Sequence, residues 1–275
     1  MRLRVLFVLP HPDDGEELAP CTVYQLVQAG HDVTMALATC DQYGTDRNDF
    51  KGRRIERIRR AEMRRAARVY GLRPDGTPLL RVAWLGFIDG HVPLNQIGLR
   101  RVQQLLADVR PHLVVTTDPA FPIDEHPDHL NTGWLALWAV QRLPEKQRPQ
   151  LWLCQTHHHN LRVPFSRAVA AVAWQGFSAH VSQLSPLGNK LNNAGRALLY
   201  YVIRRRQSPW IAEYFRVVHW TEGEHRVASF WNAVRRAFYH LVKFGMFKPG
   251  IFDITPEKLG VSPALQIEYD LPLNV

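Results

Sequence analysis

The first half of the chain alternates short apolar runs with segments long enough to form helices, and this alternation constrains the fold more than any other feature. The apolar runs predict strands, and the segments between them have the length of crossover helices. Such a pattern favours a parallel sheet covered by helices on both faces. The predicted strands are 3–9, 31–39, 81–86 and 112–117, and the predicted helices are 17–30, 53–71, 94–110 and 130–143.

We therefore expect an α/β fold, a Rossmann-like parallel sheet sandwiched by helices, with a C-terminal substrate-facing extension. Residues 1–164 form the predicted core. The pattern weakens after that point, and Pro209 interrupts a mixture of helices and loops in which residues 265–269 are a candidate late strand. Because no clean linker separates the halves, we expect residues 165–275 to belong to the same domain and to complete its pocket.

Length and charge limit the class of protein. A chain of 275 residues with 46% hydrophobic content can bury one large core. The formal net charge of +9 suggests anionic partners, and much of the excess lies between Arg47 and Arg68. Helical spacing in that segment favours a surface helix with a solvated basic face. Since no helix-turn-helix, zinc-finger or RNA-reading signature accompanies the charge, we predict no nucleic-acid partner.

The apolar runs are too short to cross a membrane. Residues 5–9 mimic a signal peptide, but no small-residue cleavage site follows them. The longest run, 168–174, falls far below the roughly 20 residues that a span needs. The cysteines are odd in number and match neither a disulfide framework nor a CxxC zinc site, so we expect a soluble protein in a reducing, cytoplasmic setting. They are Cys21, Cys40 and Cys154.

Two segments rich in histidine and aspartate each follow a predicted strand. The first strand runs into His11, Asp13 and Asp14. In parallel α/β sheets, ligands bind beyond the carboxyl ends of the strands. If strands 3–9 and 112–117 are neighbours, the two polar clusters face each other across one crevice. The second cluster contains Asp118, His126, Asp128 and His129.

These residue types suit a metal better than a nucleotide. Histidine and aspartate supply the nitrogen and oxygen ligands of Zn²⁺, and a catalytic zinc keeps three protein ligands and an open position. The segment HPDDGEE has a single glycine, so the GxGxxG fingerprint of a dinucleotide site is absent. One His-Pro-Asp tripeptide is also typical of a helix-capping turn. Two copies, each placed between a strand and a helix, favour a metal site.

In these two segments and in several others, the chain resembles the LmbE-like (PIG-L-type) zinc-dependent N-acetylglucosaminyl deacetylases. The similar blocks occur in the family's order and span roughly the first two-thirds of the chain. The resemblance implies that His11, Asp14 and His129 bind one Zn²⁺ per chain, with another divalent ion such as Fe²⁺ as an alternative. The blocks are HPDDGE, QAGHDVTMALAT, RRAEMRRAARVYGL, WLGFIDG, DPAFPIDEHPDH and AHVSQ.

The resemblance also implies roles for the neighbouring residues. Asp13 would be the general base. His126 would stabilise the oxyanion or protonate the leaving amine, and Asp128 would orient His126 or a metal ligand. The residues implied to contact or line the substrate site are Arg59, Asp89, Asp124 and His180.

Two departures from the family pattern leave the substrate open. Pro20 and Cys21 replace a pair of glycines, and Asp124 stands where some members carry a tyrosine that assists the oxyanion. We expect a deacetylase that converts an N-acetylated amino sugar into the free amine and acetate. An amidase acting on another N-acyl group and a non-enzymatic metal- or lipid-binding protein are the alternatives. Asp13 argues against the last, because binding a metal requires no base.

Residues 230–248 suggest contact with a membrane. Their spacing predicts a helix with an apolar stripe and basic residues beside it. Such helices lie on anionic membranes, although most amphipathic helices pack against their own core. Some members of the family act on lipid-linked sugars. The hypothesis is therefore a peripheral contact at the inner membrane face, with a small-molecule or lipid-linked N-acetylated sugar as the substrate.

Overall fold

The computed structural model describes residues 1–45, 47–183, 212–220 and 267–270, and all structural statements concern these residues. The strands are β1 (Arg4–Leu9), β2 (Asp32–Thr39), β3 (Arg81–Phe87), β4 (Leu113–Thr117), β5 (Gln150–Cys154), β6 (Leu161–Pro164), β7 (Ala212–Val217) and β8 (Glu268–Tyr269). The α-helices are α1 (Asp14–Leu18), α2 (Pro20–Gln28), α3 (Arg53–Val69), α4 (Gln96–Val109), α5 (Pro127–Gln141) and α6 (Arg167–Ser178).

All described strands belong to one sheet in the order β6-β7-β5-β4-β1-β2-β3-β8. The pairs β5·β4, β4·β1, β1·β2 and β2·β3 are parallel. β8 pairs antiparallel with β3, and β7 pairs antiparallel with both β5 and β6. The predicted α/β sandwich with a central parallel sheet is confirmed, and antiparallel strands flank it on each side.

The core lies on both faces of the sheet because successive strand residues point to opposite sides. In β1, Leu6 and Val8 pack in one hydrophobic cluster, while Val5, Phe7 and Leu9 pack in the other. These five side chains have no exposed surface. A strand buried on both faces reads as a continuous apolar run, which is the pattern of residues 5–9.

The first predicted helix is divided in two. The sequence predicts one helix over residues 17–30, but α1 ends at Leu18 and α2 begins at Pro20. Proline lacks a backbone N–H and is tolerated at the first position of a helix, so it starts a new helix here. α1 begins at Asp14, the last residue of the first polar cluster.

The C-terminal half contributes strands to the same sheet. β7 lies between β5 and β6, and β8 lies beside β3. The late strand predicted within residues 265–269 is confirmed by β8 for Glu268 and Tyr269. Neither β5 nor β7 was predicted from the sequence pattern. β7 has two neighbours from distant parts of the chain, which local periodicity cannot reveal.

The basic helix α3 is amphipathic. Most of its arginines face solvent, as predicted, while Ile55, Met63 and Ala66 are buried. Arg59 is the exception, because its side chain has no exposed surface. No helix within the described ranges is long and apolar enough to cross a membrane.

Candidate active site

The two polar clusters meet at the carboxyl edge of the sheet. β1 and β4 are parallel neighbours, so the residues that follow each strand emerge side by side. Several of these residues border a cavity of about 330 Å³. Its lining includes His11, Asp13, Asp14, Asp41, Tyr43, Asp89, Asp124, His126, His129, Gln155 and Gln183.

His11, Asp14 and His129 form a buried group that could hold a metal ion. One ligand atom from each residue lies within 4.8 Å of the others. The backbone N–H of His11 donates to Asp14 Oδ2 at 2.7 Å, and Asp14 Oδ1 lies 3.5 Å from Nε2 of His129. The structure therefore brings together the three residues implied as ligands.

Gln155 orients one of these ligands. Its Oε1 lies 2.9 Å from Nδ1 of His129, and this contact assigns the proton to Nδ1 and leaves Nε2 free to bind a metal. Gln155 directly follows β5 and has a φ of 55°. This residue was not predicted from the sequence. A polar side chain directly after a strand of the parallel sheet was the available signal, but β5 itself was not predicted.

A second group, His11, His126 and Asp128, also meets the distance criterion. The oxygens of Asp128 already accept hydrogen bonds from the backbone N–H groups of Gly90 and Val92, at 2.6 and 3.0 Å. Nδ1 of His126 accepts from the backbone N–H of Asp128 at 3.1 Å. These groups anchor a loop and a helix terminus, so the group with Asp14 and His129 is the better metal site.

The surroundings of His11 favour positive charge. Burial alone would lower its pKa, but hydrogen bonds with Asp128, Asp14 and Asp89 outweigh burial and raise the pKa well above its usual value. Nε2 of His11 lies 3.2 Å from Asp89 Oδ1 and 3.4 Å from Asp128 Oδ2. Buried carboxylates that attract a cation, together with imidazole nitrogens, are a donor set that fits a divalent metal.

Asp13 is partly exposed to the cavity. Its side chain is 17% exposed, and Oδ1 lies 2.9 Å from Nη2 of Arg59. Burial would raise the pKa of Asp13, but the charges of Arg59, His180 and His11 outweigh it and lower the pKa to about 2. The carboxylate is therefore ionised at neutral pH, the form in which it can accept a proton.

His126 is held as the N-cap of α5, with Pro127 in the first helical position. Because Nδ1 accepts the N–H of Asp128, the proton of the neutral ring lies on Nε2. The ring centroid lies 5.0 Å from that of His11 and 5.4 Å from that of His129. His126 can therefore donate a hydrogen bond beside the candidate metal site.

Asp89 and Asp124 both border the cavity. Asp89 accepts the backbone N–H of Tyr43 at 3.0 Å. Asp124 accepts the backbone N–H of His126 at 2.9 Å, and its other oxygen lies 4.0 Å from Nδ1 of His129. Their contact with substrate stays a prediction.

Arg59 and His180 lie beneath the cavity. Neither side chain has any exposed surface, and Nε2 of His180 lies 3.4 Å from Glu16 Oε2. In this structure neither residue presents a side-chain atom to the open space, so direct substrate contact, as implied for both, would require the site to rearrange. Arg59 instead pairs with Asp13 and Asp41.

Asp41 is a cavity residue that was not predicted from the sequence. It follows β2 with a φ of 56°, a conformation that aspartate tolerates better than most residues. Its Oδ2 lies 2.6 Å from Nε of Arg59. Burial and the nearby carboxylates of Asp89 and Asp13 outweigh this attraction and raise the pKa of Asp41 to about 7.

Comparison with known families gives a match over residues 6–140. The matching family model is PIG-L, described as GlcNAc-PI de-N-acetylase. The matched region begins in β1 and ends within α5. It includes the residues of the candidate metal group.

Two curated relatives are deacetylases by name. The chain is 29% identical to "Diacetylchitobiose deacetylase" of Thermococcus kodakarensis over 54% of each chain. It is 32% identical to "Probable N-acetyl-alpha-D-glucosaminyl L-malate deacetylase 2" of Bacillus cereus, over 54% of this chain and 66% of the relative. The match therefore spans between one half and two thirds of these relatives.

A solved structure supports the fold. The N,N'-diacetylchitobiose deacetylase from Pyrococcus horikoshii superimposes with a TM-score of 0.67 at 24% identity. The superposition covers 78% of this chain and 83% of the other. The likeness extends beyond the region that the family model matches.

Proposed function

Residues 6–140 of this chain belong to the PIG-L family, and on that premise we propose that the protein is a metal-dependent N-deacetylase. It hydrolyses the N-acetyl group of an amino sugar, or of a conjugate of such a sugar, to the free amine and acetate. One observation carries the proposal. An ionised carboxylate, Asp13, borders the same cavity as a buried group of two histidines and an aspartate that fits a divalent metal.

We propose zinc as the metal, held by His11, Asp14 and His129, with Fe²⁺ as the alternative. The support is the donor set of imidazole nitrogens and a carboxylate, and the hydrogen bond that Gln155 makes to His129. A zinc ion held by these residues would lower the pKa of water to about 7 and would polarise a carbonyl group.

The chain's own residues then carry the proton transfers. Asp13 accepts the proton of the attacking water, since it is ionised and faces the cavity, and this proton passes to the leaving nitrogen as the C–N bond breaks. Nε2–H of His126 donates to the oxyanion that forms from the acetamide carbonyl. Asp124, which stands where some relatives carry a tyrosine, accepts the backbone N–H of His126. The donor to the oxyanion is therefore His126. Asp128 keeps His126 at the helix terminus through its backbone N–H.

The cavity favours an uncharged substrate. Within the described ranges, its lining contains carboxylates and no lysine or arginine. Like charges juxtaposed without a partner are unfavourable in a partly buried site, so an anionic conjugate would bind less well. We expect a neutral N-acetylated sugar to be hydrolysed faster than one that carries a malate or phosphate group. The candidate substrate contacts for its hydroxyl groups are Asp89 and Asp124.

The setting is a further part of the proposal. We propose that the enzyme acts in the cytoplasm, which its three free, buried cysteines support.

The C-terminal half contributes Gln183 to the cavity lining, which supports the expectation that residues 165–275 complete the pocket of a single domain. The helix predicted for residues 230–248 lies outside the described residues, so contact with a lipid-linked sugar at the inner membrane face stays a hypothesis.

The first experiment measures acetate release from a panel of substrates. The panel contains N-acetylglucosamine, N,N'-diacetylchitobiose, N-acetylglucosaminyl malate, a lipid-linked N-acetylated sugar and an N-acetylated amino acid. We expect the neutral sugars to be hydrolysed fastest. Acetate release from the amino acid alone would instead indicate a general amidase, and no release from any compound by the metal-loaded protein would contradict the proposal.

Metal content tests the ligand assignment separately. His129→Ala should lose most of the bound metal and the activity together, as measured by elemental analysis and acetate release. The matched control is His112→Ala, at the opposite end of β4, where the imidazole accepts the backbone N–H of Arg4. That variant should keep both. Full metal occupancy in His129→Ala would show that the ligands lie elsewhere.

A further inference from the structure

The guanidinium of Arg59 is surrounded by carboxylates. Nη2 lies 2.9 Å from Asp13 Oδ1, Nε lies 2.6 Å from Asp41 Oδ2, and Nη1 lies 3.6 Å from Glu62 Oε2. All three contacts are within ion-pair distance. The Arg59 side chain is 0% exposed, so it has no surface with which to meet a substrate.

We propose that Arg59 is a positioning residue, which fixes the carboxylate of Asp13, and that Glu62 and Ser182 hold Arg59 in place. The inference rests on the proposed function of Asp13 as the base. A base must present one oxygen to the attacking water in a defined direction, and an error of about 1 Å can cost about 100-fold in rate. The charge of Arg59 holds Asp13 Oδ1 from below, while the Asp13 side chain is partly open to the cavity.

The opposite end of this chain of contacts lies in the short 3₁₀ turn Val181–Gln183. Both the backbone N–H and the hydroxyl of Ser182 donate to the carboxylate of Glu62, each at 2.7 Å. Gln183 Nε2 donates to the backbone carbonyl of Gly44 at 2.6 Å. The turn is therefore tied to α3 and to the loop that carries Asp41. This gives the AHVSQ segment a physical role, because it sets the position of two partners of Arg59.

The shape of the Arg59 side chain matters as well as its positive charge. The planar guanidinium reaches three carboxylates from one side chain, whereas a lysine ammonium is a compact point charge that cannot match this fork. Removing the guanidinium would leave Asp13, Asp41 and Glu62 close together without the cation that they share. We therefore expect Arg59→Lys to restore only part of what Arg59→Met loses.

A double-mutant cycle between Arg59 and Asp13 tests the proposal. Arg59→Met should lower kcat by about 10- to 100-fold, while KM stays within about threefold. In an Asp13→Asn background the same substitution should change kcat by less than about twofold, since the group that it positions no longer acts as a base. A rise of more than about tenfold in KM, equal in both backgrounds, would show that Arg59 contacts the substrate and would overturn the inference.

Ser182→Ala tests the contact between Ser182 and Glu62, and it is less disruptive to folding than Arg59→Met. Loss of the hydroxyl should lower kcat severalfold in the folded, metal-loaded protein and leave KM unchanged. Ser178→Ala is the matched control, because that hydroxyl donates to the carbonyl of Trp174 within α6. Equal kcat values for Ser182→Ala and Ser178→Ala would show that Ser182 does not help to hold Arg59 in place.

Crystal structures of wild type and Arg59→Met separate this inference from the proposed function. The carboxylate of Asp13 should leave its wild-type position in the variant, whether or not a substrate is known. An unchanged Asp13 would refute the positioning role even in an active enzyme. Failure of wild type to release acetate would contradict the proposed function while leaving this structural test intact.

Discussion

Two buried aspartate–arginine pairs follow neighbouring strands of the sheet, and they differ in how many contacts the aspartate makes. Asp118 follows β4, and its two oxygens lie 2.7 and 2.9 Å from Nε and Nη2 of Arg216. Oδ1 also accepts the backbone N–H groups of Ala120 and Phe121. Its side chain is 0% exposed. Asp13, which follows β1, pairs with Arg59 through Oδ1 and stays partly open to the cavity.

The number of contacts that the aspartate makes distinguishes the structural pair, Asp118–Arg216, from the functional pair, Asp13–Arg59. The sequence pattern placed Asp118 in the cluster that faces Asp13, because both follow strands. In the structure Asp118 turns to Arg216 on β7 and does not line the cavity. A carboxylate whose oxygens are all occupied stabilises the fold, whereas one with a free oxygen at a cavity can take part in chemistry.

The largest expected effect is that of Asp13→Asn. The amide fills the same space but cannot accept a proton, so turnover should fall by about 10²–10⁴-fold while the metal stays bound. The measurements are acetate release and elemental analysis. Asp118→Asn is the matched control and should keep the turnover of its folded fraction. Near-normal kcat for Asp13→Asn would show that another residue is the base and that Asp13 and Asp118 do not differ in function.

Asp118→Ala should act on stability instead. The substitution removes the carboxylate of a buried ion pair and the acceptor of the backbone N–H groups of Ala120 and Phe121, which costs about 3–5 kcal/mol of the free energy of unfolding. Denaturant unfolding with activity assays on the folded fraction measures both quantities. A variant that unfolds like wild type but has lost its kcat would assign Asp118 to the catalytic site.

The same pair should make stability sensitive to acid. Burial would raise the pKa of Asp118, but the hydrogen bond and charge of Arg216 outweigh it and lower the pKa below its ordinary value. A lowered pKa in the folded state gives stability that is present above the unfolded value of about 3.9 and is lost as pH falls through the folded value. Asp118→Asn should therefore lose less stability than wild type between about pH 6 and pH 3. Parallel pH profiles of the unfolding midpoint would contradict this.

The smallest effect is expected for a surface pair. Arg47 and Asp49 lie 2.8 Å apart, but their side chains are 65% and 57% exposed. Water and salt screen such a pair, so Asp49→Ala should leave both kcat and the denaturant midpoint unchanged within error. A clear shift in kcat or in the denaturant midpoint would show that the distance between the charges, rather than their burial, determines how much an aspartate–arginine pair contributes to activity or stability.

Local pattern allowed much of the fold and the candidate metal site to be predicted. The continuous apolar run of β1 identified a buried strand, and the two His-Pro-Asp segments identified the polar residues at the ends of β1 and β4. The resemblance to the family implied that Arg59 contacts the substrate, and that contact stays a prediction. Its location below Asp13 could not be read from the sequence. Asp41 and Gln155 were missed, because a single polar residue after a strand carries no distinctive spacing.

Hydrophobic periodicity and chain order were enough to establish the alternation of strands and helices and the delivery of His11, Asp14 and His129 to strand ends. Both signals are local, so they can be read from the sequence without the fold. The pairing of Asp118 with Arg216, and the sharing of Arg59 between Asp13 and Asp41, emerged only from tertiary packing. The choice of charge partner depends on which strands become neighbours and on which groups lose water. Both are set by contacts between residues far apart in the chain.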